Sequence, residues 1–175
     1  MLNRFARRLC ITGLLSLLAL APNAFAQQGS PGGADDDVTT EQFRDWEVVC
    51  PNEGEGNCTM YQVVNHSDND QPLMQVVVAY PPQLESGTMT FVLPLGVHLA
   101  SGLQLSVEGV EPAQFPYQAC LQQGCRADLP IQPALLQALR SGSTATLSLI
   151  DPRGDRMDLD ISLMGFTDAH ARIAP

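Results

Sequence analysis

Hydrophobic and polar residues alternate with a period of two along much of the chain beyond residue 42. Phe43 is followed by Trp46, Val48 and Cys50 at every second position, and Cys58-Thr-Met-Tyr-Gln-Val-Val-Asn65 alternates in the same way. That period sends successive side chains to opposite faces of a strand, so both segments predict strands, the first with the chain's only Trp facing inward. Between them Pro51 to Asn57, rich in Gly and Glu, predicts the loop of a hairpin with Cys50 and Cys58 at its neck. His66 to Pro72 is a polar cluster that predicts a turn. Leu73 to Tyr80 is nearly continuous in apolar residues, which predicts a central strand buried on both faces and closed by Pro81-Pro82.

The longest uncharged apolar run beyond residue 42, from Thr90 to Val107, is interrupted by Pro94 and Gly96. Proline removes a backbone donor and glycine tolerates positive φ, so the run reads as two strands joined by a bend. Leu103, Leu105 and Val107 alternate with Gln104, Ser106 and Glu108 in the second strand. Val110 to Pro116 reads as an irregular connection. Tyr117 to Leu129 reads as a further pair of strands, with Gly124 at the turn and Cys120 and Cys125 flanking it. Pro133 to Arg140 is the best helix, with Leu135, Leu136 and Leu139 on one face and Gly142 as its stop. Thr144 to Ile150 and Met157 to Leu163 predict a hairpin across Asp151 to Arg156, and Gly165 opens a short final helix from Phe166 to Ile173. About eight short strands with one or two short helices predict an all-β, single-domain β-sandwich or partly open barrel.

Residues 1–26 carry the pattern of a secretory signal peptide. Arg4, Arg7 and Arg8 precede the apolar run Leu9 to Ala21, and Ala24-Phe25-Ala26 fits the small-x-small cleavage rule, so cleavage after Ala26 is expected. Residues 27–41, with Asp35-Asp36-Asp37 and several Gly, read as a flexible acidic leader, and residues 42–175 as the folded β domain. Charge sharpens the picture. Three of the nine basic residues and none of the 19 acidic ones fall within the signal, which leaves six against nineteen, a formal charge of −13. A chain this acidic repels phosphate backbones, so nucleic acid is excluded as a partner, and no span of the membrane is expected after cleavage.

With Cys10 lost in the signal, Cys50, Cys58, Cys120 and Cys125 remain. An even set in an exported chain reads as disulfides, and three pairings are possible. Cys50 with Cys58 and Cys120 with Cys125 is favoured, because each pair brackets a turn between strands. A zinc site of four thiolates is the competing reading. It fits poorly, since seven residues separate the first pair, beyond the usual two to four.

The strand Trp46-Glu-Val-Val-Cys50, the motif Cys58-x-Met60-x-Gln62, the bend Leu93-Pro-Leu-Gly-Val97, the segment Phe115 to Cys120, then Gly124-Cys125-x-Ala127 and Gly165-Phe166 together resemble the invasion-associated locus B (IalB) family. The resemblance runs from about Gln42 to Pro175. It implies an exported protein of Gram-negative alphaproteobacterial type, periplasmic, secreted or exposed at the outer surface, in a virulence-associated family whose founding members are linked to invasion of red blood cells. It brings no catalytic residues to carry over, only the cysteine pairs and the Leu-Pro-Leu-Gly bend.

Chemistry is sparse in the sequence. His66, His98 and His170 are far apart and match no metal-ligand spacing, and neither a nucleophile elbow nor a Gly-rich phosphate loop is present, so no catalytic residue, metal or cofactor is expected. Asp155, Asp158 and Asp160 read as a solvated strand face rather than a cation site. Arg153-Gly154-Asp155 matches the integrin-binding tripeptide, but Asp151-Pro152 and Gly154 account for it as turn chemistry. The resulting expectation is a non-enzymatic envelope protein that binds another envelope or host-surface component. The alternative is a periplasmic hydrolase, which requires His98 or His170 to meet a carboxylate and a nucleophile.

Overall fold

The two-residue period is realised as two antiparallel sheets packed face to face. The computed structural model describes residues 38–52, 56–66 and 68–175; the segment read as a signal peptide and most of the one read as a leader lie outside them. The larger sheet contains β1 (Val38–Phe43), β2 (Trp46–Pro51), β3 (Thr59–Asn65), β4 (Pro72–Ala79), β5 (Thr88–Leu93), β8 (Tyr117–Leu121) and β9 (Gly124–Pro130), in the order β1-β2-β3-β4-β5-β9-β8. The smaller one has the order β11-β10-β6-β7, from β6 (Leu103–Val107), β7 (Ala113–Phe115), β10 (Thr144–Ile150) and β11 (Arg156–Ser162). Two helices, α1 (Pro133–Ser141) and α2 (Phe166–Ile173), complete the described residues. The sheets do not close into a barrel.

Inward positions of both sheets make one core. Trp46, Val48, Met60, Val76, Val78, Met89 and Phe91 face Leu105, Ala145, Leu147 and Ile161, all with almost no exposure. Between the layers Phe91 packs against Phe115, ring centroids 5.3 Å apart. Leu135 and Leu139 of α1 and Phe166, Ala169 and Ile173 of α2 cover the part of the core near the start of β10.

Several expectations need correction. The described residues hold eleven strands where about eight were expected, because the shortest are made by pairing rather than by their own alternation. Thus β1 starts at Val38, inside the stretch read as flexible leader, since Val38 to Phe43 runs in register along β2. The alternating segment from Phe43 to Cys50 is not continuous: Arg44, at φ 55°, and Asp45 turn the chain back between β1 and β2. Residues 113–115, read as irregular, pair with Leu103 to Leu105 as β7. β4 is central but buried on one face only, with Gln75 exposed and Leu73 and Val77 half-buried on the other. The two strands flanking Pro94 are present, but they belong to different sheets, so the bend is the crossover from one layer to the other.

A side-chain clasp joins the layers where β11 presents an open edge. Gln62, buried on β3, accepts from the Ser162 N–H (3.0 Å) and donates to the Ser162 carbonyl (3.0 Å), the exchange that two paired strand residues make. Its amide also donates to the Asp45 carbonyl, and Trp46 Nε1 donates to the Ser162 carbonyl at 2.9 Å. Trp46 then meets Phe166 edge-on, centroids 5.3 Å apart. The helix can approach this closely only because Gly165 precedes it: its φ is 89°, and a Cβ there would lie 1.9 Å from the Phe43 carbonyl oxygen. Replacing Gln62 by Leu conserves bulk but leaves the half-buried Ser162 N–H without this acceptor, while the Ser162 carbonyl keeps Trp46, so the variant should lose about 1–3 kcal/mol in denaturant unfolding. A loss under about 0.5 kcal/mol, the range of an ordinary surface substitution, would show that the clasp is dispensable.

Candidate ligand-binding surface

The four cysteines form two disulfides. Cys50 and Cys58 are bonded across the neck of the β2–β3 hairpin with Cα atoms 4.2 Å apart, and Cys120 and Cys125 face each other directly in the β8–β9 ladder with Cα atoms 4.0 Å apart. Cys50 and Cys125 are buried, whereas Cys120 lies on the exposed edge strand. Each sulfur has its partner, so the four thiolates do not come together as a zinc site. Short loops restrict the unfolded chain modestly, about 2–3 kcal/mol per bridge in the loop-entropy account. Replacing either pair by Ala should lower stability by that amount and leave a folded β protein, checked by circular dichroism and denaturant melts; loss of the fold would mean that a bridge holds more than its own hairpin.

The three histidines occupy separate places. His66 is exposed at the β3–β4 turn. His98 is exposed past the bend, where its Nδ1 contacts the Ser101 hydroxyl at 2.8 Å and its backbone N–H donates to the Ile150 carbonyl. A serine three residues along a single turn is a local contact, and among the described residues no carboxylate is hydrogen-bonded to the ring to orient it as a general base. His170 is buried on α2, hydrogen-bonded to the Tyr80 hydroxyl (2.5 Å) and stacked against Phe166. Burial, with the nearby Arg140 charge adding to it, holds His170 below the ordinary histidine range.

The sign of the pH dependence follows. The folded state binds the His170 proton less readily than the unfolded state, so stability is fully present above the ordinary value of 6.5 and is lost as pH falls through the lower folded value. Asp151 and Asp158, also held low, add their losses only below the carboxylate value of 3.8. In a denaturation series from pH 8 to 4.5, His170→Gln should flatten the decline of stability below about 6.5 while keeping a polar partner for Tyr80; an unchanged slope would remove His170 as its cause.

The acidic and tripeptide motifs make their contacts with near neighbours. Asp158 is paired with Arg156, Asp160 accepts from the Thr146 hydroxyl, and among the described residues no three metal-ligating side chains converge. In the β10–β11 loop the Asp151 carboxylate accepts from the backbone N–H groups of Arg153 (2.8 Å) and Asp155 (2.9 Å) and from the Arg153 guanidinium, and these bonds hold its pKa down. Arg153 lies over Asp151 and within 3.8 Å of Asp155. The arginine of the tripeptide is therefore bonded to Asp151 within its own loop, while its aspartate stays largely exposed.

What remains concave and apolar lies at the bend. Pro94 and Leu95, with Leu73 and Leu93 beside them, face Met157 and Leu159 of β11 across a cleft of about 110 Å³ at the end of the smaller sheet away from the helices. The crossover is held in place from two sides: His98 donates to Ile150 at the end of β10, and the β8–β9 turn presses against Leu93. Gly124, at φ 141°, makes the second contact possible, since a Cβ there would lie 2.3 Å from the Leu93 carbonyl oxygen. Leu73, Leu93 and Pro94 also line a shallow groove on the outer face of the larger sheet, which runs on to Val63, Val92 and Gln123. Leu95 is 58% exposed and Leu121, in the neighbouring β8–β9 hairpin, 68%. Leu73 and Met157 were not expected here: periodicity marks them as strand positions, but only the crossing of the sheets sets them opposite the bend.

The Invasion associated locus B (IalB) protein family profile matches residues 46–174. The chain belongs to the IalB family. It is 30% identical over 167 residues to the invasion protein B homologs of Brucella abortus strains 2308 and 9-941, covering 93% of this chain and 90% of each relative. The crystal structure of invasion associated protein b from Bartonella henselae superposes with a TM-score of 0.69 at 20% identity, over 77% of this chain and 95% of that one, and shows the same fold. The motif residues on which the sequence resemblance rests separate into two groups in space. Trp46, Gln62, Gly165 and Phe166 build the clasp between the layers. Leu93 to Val97 and Gly124-Cys125 build the bend end with its cleft. The disulfides fit the exported character that the family membership suggests.

Proposed function

We propose that this IalB protein is an exported, non-enzymatic binding protein of the cell envelope, periplasmic or exposed at the outer surface. Its contact surface is the bend end of the sandwich, and its partner is another envelope or host-surface component. One observation carries the reading: among the described residues His98 bonds to Ser101, buried His170 to Tyr80 and the Asp151 carboxylate to its own loop, so that none of the three joins a nucleophile, a base and an orienting group, while apolar residues of the bend end remain open to solvent. A hydrolase needs a nucleophile, a base and an orienting group at one place. The nearest arrangement, His98 with Ser101, supplies two of them as a turn contact.

Site-specific photocrosslinking tests the surface. A photoreactive residue at position 95 in cells that export the protein should give a discrete adduct that the same residue at Glu108, exposed beyond the end of β6, does not give. Equal labelling from both positions, or none from position 95, would overturn the assignment. A His98→Ala variant that folds normally but loses the protein's cellular phenotype would put the hydrolase ahead.

A further inference from the structure

We infer that the outer face of the smaller sheet carries a site of its own, a shallow pocket for one neutral sugar ring, separate from the apolar surface at the bend. Strand register builds it. Ser148 on β10 lies directly opposite Gln104 on β6 and Asp158 on β11, and Gln104 lies opposite Gln114 on the edge strand β7, so four polar side chains form one row across all four strands. Their chain neighbours Leu103, Leu105, Leu147 and Leu149 fill the core, and alternation sends the row to the other face. There Ser101, Gln104, Gln114, Ser148 and Arg156 line a depression of about 190 Å³, with Ile150 beside them. Ser148 is its floor, only 6% exposed although no second layer covers that face among the described residues.

The groups left unpaired set the chemistry. Arg156 Nη2 donates to the Ser148 hydroxyl at 2.8 Å and Nε to the Asp158 carboxylate at 2.9 Å. Those two bonds use one side of the planar guanidinium and fix its plane, while the N–H pair at its end has no partner among the described residues. The Gln104 and Gln114 side chains make no hydrogen bond among the described residues either. The pocket thus offers two carboxamides, each with a donor and an acceptor, and a two-pronged donor. Its one cation is already paired with an aspartate.

That balance selects the ligand. A carboxylate or phosphate would meet a neutralised guanidinium on a chain of net charge −10, and a cation would meet the guanidinium itself. Adjacent hydroxyls on a sugar ring carry no charge, and each both donates and accepts, so two of them can engage one carboxamide or the end of the guanidinium together. Size agrees with one ring. The two inter-strand steps from Gln114 to Ser148 cover about 10 Å, the breadth of a pyranose with its hydroxyls, and the volume lies below the ~300–1,000 Å³ of sites that enclose larger ligands. An extended peptide fits less well, because its successive N–H and C=O groups point to alternate sides and only some of them turn to the row. The lining holds no aromatic ring to stack on, so a Kd of about 1–10 mM is expected for a single sugar.

Titrating the purified exported protein with the methyl glycosides of glucose, galactose, mannose and N-acetylglucosamine tests the site, read by the side-chain NMR signals of Gln104, Gln114 and Arg156. At least one glycoside should shift all three saturably, with the same Kd at ~10 mM and ~500 mM NaCl because the ligand is uncharged. Gln114→Ala, at an exposed edge position, should weaken that glycoside several-fold, and so should Arg156→Lys, which keeps the charge and removes the fork. Glu108→Gln, exposed beyond the end of β6, should leave it unchanged. Saturable shifts with none of the four, shifts only away from the row, or full affinity in both variants would overturn the proposal. Tighter binding of acetate that weakens with salt would make this an anion site, and tighter binding of acetylglycine N-methylamide a peptide site; either result removes the sugar.

Discussion

Gln62 occupies the place that another strand would take beside β11. An edge strand leaves alternate N–H and C=O groups unpaired, and here one side-chain amide satisfies both groups of Ser162 from inside the opposite sheet. The tie is expensive to leave unmade, because the Gln62 amide is itself buried and the Ser162 N–H it accepts from is half-withdrawn from water. Trp46 and Asp45 attach to the same short stretch, and the chain after β11 then enters α2 through Gly165, where only a residue without a Cβ fits against Phe43. The relative placement of the two sheets at this corner thus follows from a few hydrogen bonds and one steric requirement, with Phe166 filling the space under Trp46.

Closing the sandwich at that corner leaves another part of it open. At the far end of the smaller sheet the layers are joined by the chain crossing over through Pro94 to Gly102, and a proline-containing crossover cannot continue the ladder of either sheet. Inward-facing side chains that elsewhere meet a partner layer, Leu93, Leu149 and Leu159, end here against a cleft, and Leu95 and Met157 stay partly in water. A rigid corner and an apolar opening are therefore two results of the same topology. The disulfide of the β8–β9 hairpin adds to the rigidity of the open end, since Cys125 lies opposite Leu93 in the ladder just before the bend.

The elements with strong local signals were legible from the residues. The hairpin pairs, both helices and the two local disulfides follow from alternation, from Pro133, Gly142 and Gly165 at helix ends, and from cysteines placed on either side of turns. Failures came where pairing outweighs pattern. β1 has the composition of a leader and becomes a strand because β2 offers it an edge, and β7 is three residues between prolines held by β6. β4 looked buried on both faces because valine serves as well on a half-exposed sheet surface as in a core.

The sequence by itself determined the class of object: an acidic, cysteine-paired β protein with a signal-like start, little catalytic chemistry and membership of a recognisable family. Those properties reside in composition, period and motif, which are local. Which motif residues act together was decided only by the tertiary structure. Gln62 and Ser162 are 100 residues apart, and nothing in either neighbourhood announces that a polar side chain on an inward position will serve as the missing strand. Leu73, Leu95 and Met157 form one surface because the chain crosses between layers at Pro94, and that crossing is a property of how two sheets stack, not of any stretch of residues.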